Sequence, residues 1–209
     1  MKVASEFLQR AVAALSAAFA RRAAWPGSKA GRRALHSPLF FSRCKFSHAV
    51  FADLTPALAA TYVFAAAVLL HRQHPDWHFI LPAAGDARHA QLRALIDTDP
   101  AWQKLPLQLL HGQSHTALAA CDQTLIASGT ATLEAALYKR PMVIAYRMSP
   151  FSYRLMKGRN YQPWFGLPNI LAGEFLVPEF IQDAATPEAL AQAISQQHDD
   201  AAGCDRLRA

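Results

Sequence analysis

Acidic residues are almost missing from the first 48 positions of this 209-residue chain, where Glu6 stands alone against nine lysines and arginines. Cysteine is scarce as well. Cys44, Cys121 and Cys204 lie far apart, are odd in number and lack metal-ligand spacing; this argues against a disulfide framework or a zinc site and fits a reducing compartment. Long apolar runs are absent: Val63 to Leu70 is typical, far short of the ~20 residues a membrane-spanning helix needs. Only 17% of residues are charged and 52% are hydrophobic, enough for one large domain, or a domain plus a tail, although much of the apolar material is alanine.

The formal charge of +6 belongs to the N-terminal segment, because from residue 49 onward twelve basic residues face fourteen acids. The main domain therefore offers no electrostatic case for binding nucleic acid. Leu8, Val12, Leu15 and Phe19 recur at helical spacing beside Arg10, Arg21 and Arg22, so Lys2 to Arg22 reads as an amphipathic helix. Its Arg-rich, acid-poor composition suits a transit peptide, a solvated or membrane-surface helix, or sequence outside the domain proper. Arg32 to Phe51 shows no consistent period, and low order is expected there. The expected division is a basic segment over 1–60, a domain over 61–198 and a tail over 199–209.

Beyond residue 61 the pattern alternates. Helices are expected at Tyr62–His74, Arg88–Ile96, Ser114–Ala120 (with Ser114 as cap), Ala131–Tyr138 and Pro187–Ser195 (with Thr186 as cap). Strands are expected at Trp77–Leu81, Leu105–Leu110, Gln123–Ile126 and Met142–Tyr146. Strands alternating with helices through short loops imply an α/β fold, a Rossmann-like parallel sheet with flanking helices. Ligands of such sheets bind outside the carboxyl ends of the strands. The loops at His111–Ser114 and Ser128–Thr130 and the segment after Tyr146 share that edge.

The most informative stretch is ASGTATLEAAL, Ala127 to Leu137. A short buried strand turns through Ser128, Gly129 and Thr130 into a helix, so free amides and the positive end of the helix dipole point at one spot suited to a phosphate or diphosphate. Glu134, one turn into the helix, is placed to accept hydrogen bonds from a ribose-type diol. The competing reading is a helix capped by Ser128 or Thr130, with Glu134 the distal partner of a capping box if Thr130 or Ala131 is the N-cap. Arg147, at the end of the last strand beside Tyr146, offers either bidentate contacts to a phosphate or sugar oxygen or a surface ion pair. Phe151, Tyr153 and Trp164 alternate with Arg154, Lys157 and Arg159, a composition that fits an amphiphilic ligand, an anionic membrane surface or a half-buried helix with a basic outer face. Leu167-Pro168-Asn169 reads as a stiffened turn in which Asn169 offers both a donor and an acceptor.

Three blocks in order, ASGTATLEAAL, PMVIAYRMSPFSY and LPNILAG, make the chain from about Phe64 to Ile194 resemble the C-terminal half of the lipid-A-disaccharide synthases. The resemblance implies the C-terminal domain of a GT-B glycosyltransferase. It implies transfer of 2,3-diacylglucosamine from its UDP-linked donor to the 1-phosphate acceptor lipid X, forming a β-1,6 disaccharide and releasing UDP, with neither metal nor cofactor. Carried to matching positions, Ser128, Gly129 and Thr130 meet the diphosphate and Glu134 the ribose. Gly112, Gln113 and Ser114 lie by the nucleotide. Tyr146 and Asn169 stand near the donor, with Arg147 in the catalytic role. The implied partners are UDP-2,3-diacylglucosamine, lipid X, the anionic inner-membrane surface reached from the cytoplasm and, in a homo-oligomer, a second copy of the chain.

The chain departs from that family at its start. The N-terminal domain, with its acceptor site and candidate general base, has no counterpart, and Pro26-Gly27-Ser28-Lys29 only faintly echoes the family's PGSR-type loop. A truncated or frame-disrupted gene is expected to give such a segment, and the domain would then be inactive alone. Another UDP-N-acetylglucosamine-using GT-B enzyme and a non-catalytic nucleotide-binding remnant are the competing readings; PFSY and LPNILAG argue against the first of these.

Overall fold

A computed structural model of the chain describes residues 61–127, 129–147, 149, 153–154, 163–200 and 202–204, with the backbone alone at 47–50 and 56–60. Among the described residues the elements are six strands and seven α-helices: β1 (Ser47–Val50), α1 (Pro56–Gln73), β2 (Phe79–Ala83), α2 (Asp86–Ile96), α3 (Pro100–Gln103), β3 (Leu107–His111), α4 (Ser114–Ala120), β4 (Thr124–Ile126), α5 (Thr130–Leu137), β5 (Met142–Tyr146), α6 (Leu167–Ala172), β6 (Glu179–Ile181) and α7 (Pro187–Asp199). Every ladder is parallel: β1 with β4, β4 with β5, β5 with β6, and β2 with β3. Hydrogen bonding gives a four-stranded sheet, β1-β4-β5-β6, and a two-stranded one, β2-β3; β2 lies alongside β1 without a ladder, so in space the strands follow the order β3-β2-β1-β4-β5-β6. That is the doubly wound order whose switch point falls between β1 and β4.

Side-chain alternation sends the strands' apolar residues to two faces. Leu125 and Val143 join a core with Phe64, Leu70, Leu190 and Ile194, whereas their neighbours Ile126, Met142 and Ile144 join a second core with Leu118, Ala135 and Val177. α1 and α7 therefore cover one face and α4 and α5 the other, as a parallel sheet requires. The alanines that dominate the composition help here. Ala66 and Ala67 of α1 and Ala191 and Ala193 of α7 are buried in the first core, where small side chains let these helices approach closely.

Several elements differ from the sequence reading, each for a local reason. The strand expected at Trp77–Leu81 begins two residues later. Trp77 sits in the preceding turn, buried against His74 in a stack of 4.1 Å and against His198 at 4.8 Å, so its apolarity marks burial and not strand. α3 is a single turn capped by Asp99, which anchors Trp102 on Phe64 at a ring distance of 5.1 Å. The Leu167-Pro168-Asn169 turn is the first turn of α6, with proline tolerated at its start. α7 continues to Asp199, and its cap is the expected one: the Ala189 amide donates to Thr186 Oγ1 at 3.2 Å. Arg32 to Phe51, expected to lack order, contains β1, and α1 starts at Pro56, so sheet and helix both begin ahead of the boundary drawn at residue 61. The amphipathic helix read at Lys2–Arg22 lies outside the described residues. Among the described residues no helix is long and apolar enough to cross a membrane.

Candidate nucleotide site

The turns after β2, β3 and β4 each place a glycine at positive φ: Gly85 at 106°, Gly112 at 65° and Gly129 at 124°. Parallel pairing brings their strands' carboxyl ends to one edge, and the Gly112 amide donates to Ala83 O at 2.7 Å, tying the β3 turn to the end of β2. A cavity of about 210 Å³ opens there. Pro82, Ala83, Ala84 and Leu92 form its apolar wall, and Arg88, Gly112, Ser114 and Glu134 supply its polar groups.

Gly129 is the N-cap of α5, with no side-chain cap, and a methyl group built on it meets nothing within 4 Å. The expected alternatives resolve in part. Thr130 is the first helical residue and not the cap, so the capping box with Glu134 does not form, while Ser128 lies outside the described residues. Thr132 closes the turn from within, its hydroxyl donating to Gly129 O at 2.7 Å. Ser114 is likewise not a cap. The N-cap of α4 is Gln113, a non-glycine residue in the left-handed region at φ 57°, and it too makes no side-chain cap bond. Glu134 is half-buried and faces the cavity.

The remaining expected residues separate into those at the strand edge and those elsewhere. Tyr146 ends β5, half-buried and in register with Ile181. Arg147 follows it, but its guanidinium is engaged by the protein. Nε donates to Gln182 O at 3.0 Å, Nη2 lies 3.6 Å from an exposed Asp183 carboxylate, and the head stacks 4.0 Å over the Tyr62 ring. Asn169 is fully buried away from the cavity. Its Nδ2 donates to Val177 O at 2.8 Å and to Glu179 Oε1 at 2.6 Å, and its Oδ1 accepts from Val177 N at 2.8 Å, because α6 turns the amide inward. Of the aromatic-basic group, Tyr153 and Trp164 are half-buried, Trp164 lies edge-on to Phe175 at 6.2 Å and Arg154 is exposed. Phe151, Lys157 and Arg159 lie outside the described residues.

Sequence reasoning missed Arg88, which stands in the first turn of α2 behind a glycine turn of no recognised motif. It also missed His111, whose Nε2 lies 2.6 Å from Asp86 Oδ1 at the mouth of the β2 and β3 turns. Among the described residues no three His, Cys, Asp or Glu side chains come together to hold a metal ion.

A doubly wound parallel domain with glycine turns and a cavity at its carboxyl edge is a Rossmann-like domain of the kind from which GT-B glycosyltransferases are built. Solved structures carry this step. WaaG, a glycosyltransferase involved in lipopolysaccharide biosynthesis, superposes with a TM-score of 0.53 at 15% identity over 80% of this chain and 42% of its own. Escherichia coli ADP-heptose LPS heptosyltransferase II gives 0.51 at 15% over 80% and 50%, and a Listeria monocytogenes protein described as a UDP-N-acetylglucosamine 2-epimerase gives 0.56 at 12% over 80% and 40%. The family follows from sequence: the model of lipid-A-disaccharide synthetase matches residues 57–203, and the chain belongs to that family. The lipid-A-disaccharide synthase of Albidiferax ferrireducens is 56% identical over 63% of this chain, and that of Pseudomonas putida 58% over 58%. The chain spans about a third of the length of the curated relatives it matches.

Proposed function

We propose that this domain holds the UDP portion of a UDP-2,3-diacylglucosamine donor and that, together with the rest of a full-length relative, it serves transfer of the sugar to lipid X. The observation that supports this best is the pairing of an uncapped α5 N-terminus at Gly129 with Glu134 facing a cavity one turn further on. The diphosphate sits against the first-turn amides, where the dipole favours negative charge. The ribose hydroxyls donate to Glu134. In the transfer the 6-hydroxyl oxygen of lipid X attacks the anomeric carbon, the bond from that carbon to the diphosphate oxygen breaks with inversion, and its electron pair leaves with UDP. The hydroxyl proton passes to a base outside this domain. Amides and the Arg147 cation stabilise the charge developing on the diphosphate. The Tyr62 stack and the Gln182 bond would hold that cation in place during the reaction.

Calorimetric titration tests the reading. UDP is expected to bind the 209-residue chain more tightly than ADP, and Glu134→Gln to weaken UDP binding roughly tenfold, the value of one charged hydrogen bond. Equal weak binding of both nucleotides would leave only a remnant without a uridine site. The reading extends to an anionic membrane surface, met by Tyr153, Arg154 and Trp164 as basic and aromatic residues of one segment. Arg154→Glu is expected to reduce sedimentation with anionic phosphatidylglycerol vesicles severalfold, since each cation near such a surface contributes about 1 kcal/mol; unchanged sedimentation would make that segment ordinary surface.

A further inference from the structure

Arg88 and Glu134 carry opposite charges and line the same small cavity, yet they form no ion pair with each other or with another described residue. The one contact of the Arg88 head among the described residues is Nη1 to Gln91 Oε1, a long 3.3 Å bond within α2. Both side chains are half-buried, and both are left with hydrogen-bonding capacity toward the cavity. A ligand that satisfies the two must present donors to the carboxylate and acceptors to the guanidinium.

The order of elements says which part of a nucleotide meets which group. α5 follows β4, whereas α2 follows β2, which belongs to the neighbouring two-stranded sheet and lies beside β1 on the side away from β4. A nucleoside diphosphate with its phosphates at Gly129 and its ribose at Glu134 therefore directs its base past Gly112 and Ser114 toward Arg88. The wall it meets there is apolar, formed by Pro82, Ala83 and Leu92, and suits the face of a flat ring.

We infer that Arg88 reads the base at pyrimidine position 4 and selects a carbonyl oxygen there over an exocyclic amine. Guanidinium is donor only, with up to five N–H groups and no acceptor. Uracil offers it acceptors at both carbonyl positions. Cytosine places an amino group where uracil has one of those oxygens, and adenine also carries an amine, so a donor faces a donor and both lose their water without gaining a partner. This inference rests on the UDP reading of the site and adds a residue that fixes which nucleotide is accepted.

The test is calorimetry on the intact chain, its Arg88→Ala variant and its Arg88→Lys variant with UDP, CDP and ADP, with circular dichroism to show that each is folded. The wild-type chain is expected to prefer UDP to CDP by at least about tenfold. Arg88→Ala is expected to lose roughly tenfold in UDP affinity with CDP nearly unchanged, and Arg88→Lys, which keeps a donor without the planar fork, to retain part of the preference. Unchanged affinity for both UDP and CDP in Arg88→Ala, or an equal loss for both, overturns the inference; the second pattern would make Arg88 a phosphate contact. Failure of the wild-type chain to bind UDP removes the site itself, which the variants then have no base to read.

Discussion

Replacing Gly129 with alanine is expected to weaken UDP binding by about a hundredfold while lowering the melting temperature by only a few degrees. The reason lies in the backbone. Gly129 has φ 124° and ψ −165°, a combination that residues with a Cβ essentially never adopt and that costs them on the order of 1–3 kcal/mol. Space is not the issue, because the added methyl meets nothing within 4 Å. The turn therefore relaxes toward an ordinary conformation, and the first-turn amides of α5 swing off the point at which they converge. Thr132 N and Oγ1 both bond to Gly129 O, so the shift carries into the first turn of the helix. Stability changes little because the core residues beneath, Leu133 and Ala135, keep their packing. Titration with UDP beside thermal unfolding separates the two effects. An alanine variant that binds UDP as tightly as wild type would show that these amides do not hold the diphosphate.

The same contrast between local pattern and long-range contact explains which parts of the molecule could be read from sequence. Met142–Tyr146 and Ser114–Ala120 fall where their patterns place them, because a buried β-branched run and a short alanine-rich turn are local signals. The strand–turn–helix logic of parallel sheets puts the His111–Ser114 loop at the ligand edge, and Gly112, Ser114 and Glu134 line one cavity there. Arg88 escaped notice because its role depends on β2 lying near β4 across β1, a fact of topology. β6 is three residues long and half-buried, with no period to detect, and it exists because Ile144 to Tyr146 offer it a ladder. Arg147 was placed correctly at the end of β5, but the partners that fix its head, Tyr62 and Gln182, are remote in sequence. Asn169 comes near the donor through the family resemblance alone, and the sequence shows only a Pro-Asn pair that in isolation looks like a turn. In the fold it begins a helix whose partner is a carboxylate ten residues away.

That partner makes Asn169 the position where a single change is expected to cost the most stability. Glu179 gathers three donors: Phe165 N at 2.9 Å on Oε2, and Gly166 N at 2.8 Å and Asn169 Nδ2 at 2.6 Å on Oε1. Asn169 in turn holds both the amide and the carbonyl of Val177, so β6 and the N-terminus of α6 are joined through one fully buried side chain. Gly166 belongs to the same arrangement. A Cβ there would crowd Ile144 Cδ1 and Glu179 Oε1, so a side chain at this position would push on the carboxylate that bonds the backbone. Asn169→Ala leaves the buried Val177 amide and carbonyl unpaired and takes one donor from Glu179. Each orphaned group costs about 1–3 kcal/mol, so the expected loss is roughly 3–5 kcal/mol, seen as a fall of ~10 °C or more in melting temperature. Asn169→Asp preserves the shape but sets a second carboxylate against Glu179 and against a carbonyl oxygen, and is expected to be worse than alanine despite being the smaller change. An aspartate variant that melts with the wild type would mean that shape alone, and not the amide's donors, joins α6 to β6.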